Sequence, residues 1–141
     1  MNQNRNVNFG PPRLRIAIHS LIFIAESGKV LPSSAIAKQV NSHATFLRRV
    51  LASLNKNGIV KAREGRDGGY YLYRPLEEIT LAEIFLAVKN EDCNNVMPET
   101  EACKEAGAQI DEKLEGIMQQ AESQMVEYLK QYTLADVAPK R

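Results

Sequence analysis

The sequence predicts a mainly α-helical fold with one small β-hairpin. Apolar residues recur at three- and four-residue steps along most of the chain, whereas the period changes between residues 59 and 73, where two β-prone runs flank a glycine-rich turn. The chain has 141 residues, 44% hydrophobic and 25% charged, which is typical of one globular domain with an accessory element. Its longest apolar run, residues 21–25, is far shorter than the ~20 residues that span a bilayer.

The first predicted helix follows a polar N-terminal arm. Residues 1–12 are rich in asparagine and end in a Gly-Pro-Pro sequence, which is typical of a flexible segment. Residues 13–27 place their apolar side chains on one broad face of a helix. Gly28 is expected to end this helix, because glycine favours the position that follows a helix C-terminus.

Two further short helices are predicted next. Ser33 or Ser34 is expected to cap the first of them, which ends just before a break at Asn41 and Ser42. Ser42 is expected to cap the second, over residues 43–57. Two short helices joined by a tight turn are typical of a helix-turn-helix unit.

The region of changed period predicts a hairpin that acts as a wing. Residues 59–63 and 70–73 favour strands, and the glycines between them tolerate the positive φ values of a tight turn. Because this hairpin directly follows the helix-turn-helix unit, residues 13–88 are predicted to form a winged helix-turn-helix domain. Thr80 and Glu83 have the spacing of a capping box at the start of its last helix.

A long C-terminal helix is predicted beyond a polar, acidic loop. We interpret residues 89–104 as an effector-type loop and residues 105–141 as a dimerisation helix and tail. An apolar stripe from Ile110 to Tyr132 is too long for the winged domain to cover, so we expect it to pack against a second copy in a homodimer. The alternative is that the stripe packs on the chain's own first helix.

Charge is divided unequally between the two halves of the chain. Residues 1–75 contain twelve Lys or Arg and three Asp or Glu, a net charge of +9. Residues 76–141 contain six Lys or Arg and fourteen Asp or Glu, a net charge of −8. This division favours a module that binds a polyanion, joined to a module with another role; a chance partition of charge is the alternative.

The predicted third helix and the wing supply the candidate DNA contacts. A helix fits the major groove of B-DNA, where arginine donates to guanine O6 and N7, and a short arginine-bearing loop fits the minor groove. Of the alternating Tyr70 and Tyr71, one is expected to pack and the other to touch the sugar–phosphate backbone. The candidate DNA-binding residues are Ser34, Ser42, His43, Thr45, Arg48, Arg49, Arg63, Arg66 and Tyr70. For the residues of the helix, the alternative is a solvated face, with Ser42 only a cap. For the wing, the alternative is that its glycines merely close a hairpin.

Two cysteines lie in the predicted loop. Cys93 and Cys103 can form a reversible disulfide, although ordinary reduced thiols are the simpler interpretation. No metal site is predicted, because the chain has no Cys-x-x-Cys motif and its two histidines fall in other elements. No enzyme is predicted either, because the chain lacks a Walker loop and a nucleophile elbow. Few cysteines and an N-terminus without the apolar core of a secretory signal predict a cytoplasmic protein.

Several segments resemble one known family. The segments are Ser34–Lys38, Phe46–Val60, Arg63–Leu72, Pro75 and Ile79–Ile84. They are similar to the IscR/NsrR/CymR-type (Rrf) family of bacterial winged helix-turn-helix transcription regulators. The resemblance implies homodimeric repressors or activators whose recognition helices enter major grooves and whose wings reach minor grooves. By position, it assigns Ser42, Thr45, Arg48 and Arg49 to the recognition helix and Arg66 to the wing.

The same resemblance bears on cofactors. Some members of the family hold an iron–sulfur cluster through three cysteines in the loop before the long helix. Cys93 and Cys103 match the outer two positions, but residues 94–102 contain no cysteine, so the three-thiolate set is incomplete and no cofactor is expected. Members without a cluster sense partner proteins, small molecules or thiol oxidation.

Together these observations predict a sequence-specific DNA-binding transcription regulator. We expect a repressor that acts as a homodimer on a near-palindromic operator in double-stranded DNA, with a small molecule, a protein or an oxidant as effector and no membrane partner. Two alternatives remain open. The first is a winged-helix protein-interaction module, and the second is a thiol-redox sensor that uses Cys93 and Cys103.

Overall fold

A computed structural model describes residues 12–89 and 106–139. The elements in chain order are α1 (Pro12–Ser27), α2 (Ser33–Val40), α3 (Ala44–Lys56), β1 (Lys61–Arg63), β2 (Gly69–Tyr71), a 3-10 turn (Leu76–Glu78), α4 (Leu81–Lys89), α5 (Ala106–Leu129) and α6 (Leu134–Val137). This order confirms the predicted mainly α-helical fold with one hairpin. The predicted arm spans residues 1–12, of which residues 1–11 lie outside the described residues, whereas Pro12 is the first residue of α1 and not part of an arm. Residues 90–105, which include Cys93 and Cys103 of the predicted loop, and residues 140–141 also lie outside the described residues.

Helices α1 to α4 pack around one apolar core. Leu21 of α1, Ile36 of α2, Leu47 of α3 and Ile84 of α4 are each fully buried, at 0% exposure. Each such side chain contributes ~1.5–3 kcal/mol relative to full exposure. The core therefore fixes the orientation of α3 through the face of that helix that points inward.

The turn between α2 and α3 differs from its prediction. Asn41 ends α2 in the left-handed conformation, at φ 56°, and the backbone N–H of Ser42 still donates to the carbonyl of Ala37 at 3.0 Å. Ser42 therefore completes α2, and its predicted role as N-cap of α3 is wrong. His43 occupies the N-cap position, without a side-chain capping bond.

The start of α2 also differs from its prediction. Pro32 is the N-cap residue and makes no side-chain capping bond. Ser33 is the first helical residue and Ser34 the second, so neither serine caps the helix. The fixed φ of proline, here −67°, suits the residue that leads into a helix.

A third backbone segment, which was not predicted from the sequence, pairs with the wing. Strands β1 and β2 pair antiparallel, with Lys61 opposite Tyr71 and Arg63 opposite Gly69. Leu31 pairs with Tyr70 on the other side of β2 through two backbone hydrogen bonds, of 2.9 and 2.7 Å. This pairing attaches the wing to the segment between α1 and α2.

Gly69 is required by this pairing. Its φ is 156°, and a Cβ atom at this position would lie 2.2 Å from the carbonyl oxygen of Leu31. No side chain fits at that distance without moving the backbone of one segment.

The C-terminal helices are attached to the core at one end. The backbone N–H of Glu83 donates to Thr80 Oγ1 at 3.1 Å, which agrees with the predicted helix start. Residues 79–81 and 132–134 are bonded through their backbones, and Leu134 is fully buried. Val126 and Leu129 of α5 pack against the core.

Most of the predicted apolar stripe on α5 is exposed. Its exposed members, with Met118 beside them, are Ile110, Leu114, Ile117, Met125, Tyr128 and Tyr132, at 37–63% exposure. The chain's own α1 therefore leaves most of the stripe uncovered, contrary to the alternative considered for it. Among the described residues, no helix combines the length and apolar character needed to cross a bilayer.

Candidate nucleic-acid interface

Helix α3 presents two chemically different faces. Leu47, Val50, Leu51 and Leu54 are all at 0% exposure and point into the core. The other face bears Thr45, Arg48, Arg49 and Ala52, which are all exposed and recur at the spacing of one helical face. The core therefore holds the helix from behind and leaves a hydroxyl and two guanidinium groups directed to solvent. Within the described part of the chain, neither arginine has an ion-pair partner.

The N-terminal end of α3 adds donors to this face. Because no side chain caps the helix, the N–H groups of its first turn have no capping acceptor. Such N–H groups and the helix dipole together favour an anion such as a phosphate. His43 is exposed at the N-cap, whereas Ser42 is half-buried and its hydroxyl donates to the carbonyl of His43 at 3.4 Å.

The wing places two more arginines at the surface. Arg63 ends β1 and Arg66 lies in the turn, and both are exposed. The turn is closed by a hydrogen bond from the N–H of Gly68 to the carbonyl of Gly65 at 3.0 Å, with Gly65 at φ 109°. Arg66 is thereby displayed on a tight turn whose conformation glycine makes accessible.

The other predicted contacts lie in different environments. Ser34 is exposed in the first turn of α2. Tyr70 and Tyr71 are both half-buried, and Tyr70 is the tyrosine that packs against the core. Tyr70 is also the residue bonded to Leu31, so its position serves the wing's attachment. A β-prone Val-Leu pair before Pro32 was the only sequence signal for that attachment.

One residue of the basic half is neutralised within the domain. Arg74 donates to both carboxylate oxygens of Glu83, at 2.6 and 3.0 Å, and to the carbonyl of Glu78 at 3.1 Å. The hydrogen bonds to Glu83 raise the pKa of the Arg74 guanidinium above its usual value. This ion pair fixes the segment after the wing against α4 and contributes no free cation to the surface.

The described residues show no metal centre. They contain no group of three or more His, Cys, Asp or Glu side chains placed to hold an ion. His19, on α1, lies beside Arg15, and burial, followed by the charge of that arginine, lowers the pKa of His19.

A basic helix whose inner face is buried in the core, next to a wing that bears arginines, defines the class of winged helix-turn-helix DNA-binding proteins. The model of the Rrf2 family, described as "Iron-dependent Transcriptional regulator", matches residues 12–140. The chain therefore belongs to the Rrf2 family of transcription regulators. Several relatives are named HTH-type transcriptional regulators, a class of DNA-binding proteins and not of enzymes.

Individual relatives agree with this assignment. The protein aau3 of Rhizobium meliloti is 32% identical over 132 residues, which are 89% of this chain and 81% of that protein. The HTH-type transcriptional regulator IscR of Cereibacter sphaeroides is 35% identical over 75 residues, 52% of this chain and 48% of that protein. The match to IscR thus spans about half the length of that relative.

Solved structures share the fold. IscR of T. potens has a TM-score of 0.62 at 18% identity, over 91% of this chain and 84% of that chain. The oxidized form of Staphylococcus aureus CymR has a TM-score of 0.61 at 21% identity, over 93% of this chain and 96% of that chain. At these identities the likeness concerns the fold alone.

Proposed function

We propose that this regulator acts as a homodimer on a near-palindromic operator and represses transcription from it in the cytoplasm. The observation that supports the proposal most is the exposed face of α3, where Thr45, Arg48 and Arg49 project from a helix whose other side is fully buried. A helix held in this way has the right size and chemistry for the major groove.

Each group of residues has a role in this proposal. Arg48 and Arg49 donate to guanine O6 and N7 or clamp phosphates, and Thr45 bonds a base or a phosphate. Ser34, Ser42 and His43 contact phosphates near the helix N-terminus, where backbone N–H groups add to the attraction. Arg63 and Arg66 follow the adjacent minor groove, in which a narrow width favours guanidinium groups. Tyr70 packs against the core, so its main role is to hold the wing in place and not to contact DNA.

The exposed stripe of α5 supports the dimer. From Ile110 to Tyr128, its last exposed large side chain within the helix, it is about 27 Å long, at ~1.5 Å per helical residue. An apolar surface of this length on a monomer is unusual, and burial against a second copy removes it from water. A two-fold dimer then sets two copies of α3 about one DNA turn, ~34 Å, apart, which matches a palindromic site.

The donor set of the chain does not fit a three-cysteine iron–sulfur cluster. The whole sequence has two cysteines, Cys93 and Cys103, both outside the described residues, and a third thiolate is missing. We therefore propose regulation without such a cluster, through a small molecule, a partner protein or oxidation of these two thiols. Protein purified without oxygen is then colourless, and iron–sulfur absorption bands would contradict this part of the proposal.

Selection of bound duplexes from a random pool, with and without oxidant, tests the proposal. The expected result is an enriched site with two half-sites related by a two-fold axis and centred about 10–10.5 base pairs apart. Enrichment of a single asymmetric site would contradict the dimer. A pool that stays random would favour a protein-interaction module instead, and loss of enrichment with oxidant would identify the thiols as the sensor.

A further inference from the structure

Tyr73 connects the end of the recognition helix to the wing. It follows β2 by two residues and is 47% exposed, yet its hydroxyl donates a hydrogen bond to the carbonyl oxygen of Gly58. Gly58 is the left-handed residue, at φ 73°, that turns the chain out of α3 towards β1. A single exposed side chain thus bonds the end of the hairpin to the turn that follows α3.

The ring of Tyr73 also holds a lysine. The ammonium group of Lys61, the first residue of β1, lies 4.6 Å from the centroid of the ring. A cation is attracted to the face of an aromatic ring, but the ring has no net charge, so the positive charge of the lysine is not neutralised.

Three other cations, each paired with a carboxylate, differ from Lys61 in this respect. Lys89 is paired with Glu122, and Lys130 with Glu127. Arg74, the neighbour of Tyr73, is paired with Glu83. Within the described ranges Lys61 has no carboxylate partner, and it is exposed.

We propose that Lys61 binds a DNA phosphate beside the recognition helix, and that Tyr73 is the positioning residue that holds Lys61 there and fixes the wing relative to α3. This rests on the proposed function. A lysine loses side-chain conformational entropy when it binds, and contact with the ring before binding reduces that loss. The hydroxyl bond to Gly58 sets where the ring, and therefore the ammonium group, lies relative to the end of α3.

The test is the salt dependence of binding to a fluorescent duplex of random sequence, measured by anisotropy with the full-length protein. Each neutralised phosphate contributes a slope of about 0.9 in log affinity against log salt. Lys61→Gln is expected to reduce the magnitude of this slope by about 0.9. When salt is raised from ~50 to ~200 mM, the variant is then expected to lose roughly threefold less affinity than the unmodified protein loses. Lys130→Gln removes the same charge just after the C-terminus of α5, where Lys130 is already paired with Glu127, and is expected to leave the slope unchanged.

Variants of Tyr73 test the positioning role. Tyr73→Phe keeps the ring but removes the hydroxyl bond to Gly58, so its slope is expected to lie between those of the unmodified protein and Tyr73→Leu. Tyr73→Leu removes both contacts and is expected to lower the slope as Lys61→Gln does. The double variant Lys61→Gln/Tyr73→Leu is expected to have the slope of either single variant, which a purely structural loss would not produce. Thermal melting checks that each variant folds.

Several results would overturn the inference. An unchanged slope for Lys61→Gln would rule out the contact between Lys61 and a phosphate, and an unchanged slope for Tyr73→Leu would rule out the positioning role of Tyr73. If Tyr73→Leu fails to fold, the ring-current shift of the Lys61 Cε protons in the unmodified protein decides, and its absence would overturn the positioning role. A flat salt response of the unmodified protein would instead refute DNA binding itself.

Discussion

Replacement of Ile117 by glutamate is expected to break the proposed dimer. Full burial of an isoleucine is worth ~1.5–3 kcal/mol, and Ile117 is 62% exposed in the single chain, so covering the remainder contributes ~1–2 kcal/mol per copy. A two-fold interface contains the residue twice, so Ile117→Glu removes ~2–4 kcal/mol and weakens the dimer by a factor of ~30 to ~1,000. Burial of two carboxylates adds to this cost.

Sedimentation equilibrium measures this change directly. Ser123→Glu is the matched control, because Ser123 is exposed on α5 about opposite the middle of the stripe and its replacement adds the same charge. This control is expected to keep the dimer. Circular dichroism melting checks that α5 still forms in both variants. The reasoning is refuted if Ile117→Glu dimerises as tightly as the unmodified chain.

Three other substitutions test different parts of the structure. In urea unfolding, Gly69→Ala is expected to lower the free energy of unfolding by ~1–3 kcal/mol more than Gly65→Ala does. Both glycines have positive φ, but only a Cβ at Gly69 meets the Leu31 carbonyl and disturbs the two hydrogen bonds between Leu31 and Tyr70. Equal decreases in the free energy of unfolding would contradict the pairing. Arg48→Ala is expected to cost ~1–3 kcal/mol in binding to a selected operator, and much less once the guanine is replaced in that operator; unchanged affinity would return Arg48 to the solvated face. The pKa of His19 is lower in the folded chain than in the unfolded chain, so as pH falls His19 is protonated in the unfolded chain before it is protonated in the folded one, and the free energy of unfolding decreases. His19→Gln removes this effect and is expected to make the melting temperature depend less on pH between pH 7 and pH 5. An unaltered dependence of the melting temperature on pH would rule out a contribution from His19.

The helices could be predicted because their burial follows the sequence period. Leu47, Val50, Leu51 and Leu54 recur at helical spacing and are all fully buried. The same period left Thr45, Arg48 and Arg49 outside, so the exposed face of α3 was predictable from the sequence as well. The exposed stripe of α5 follows from the same argument, since the winged domain offers no second apolar face of that length.

The features that were missed depend on backbone conformation or on distant partners. The left-handed conformation of Asn41 lets Ser42 complete α2, and no local sequence rule distinguishes this from a serine cap. The pairing of Leu31 with Tyr70 joins segments far apart in the chain, and a run of two β-prone residues is too short to predict it. The contact between Lys61 and Tyr73 likewise requires the register of the hairpin, which only the structure supplies.

The most direct test of the account is protection of guanine N7 from dimethyl sulfate on a selected operator. Insertion of α3 into the major groove predicts two protected clusters on one face of the duplex, about 10–10.5 base pairs apart, and Arg48→Ala/Arg49→Ala removes both. A single cluster, two clusters on opposite faces, or protection that survives the double substitution would contradict it.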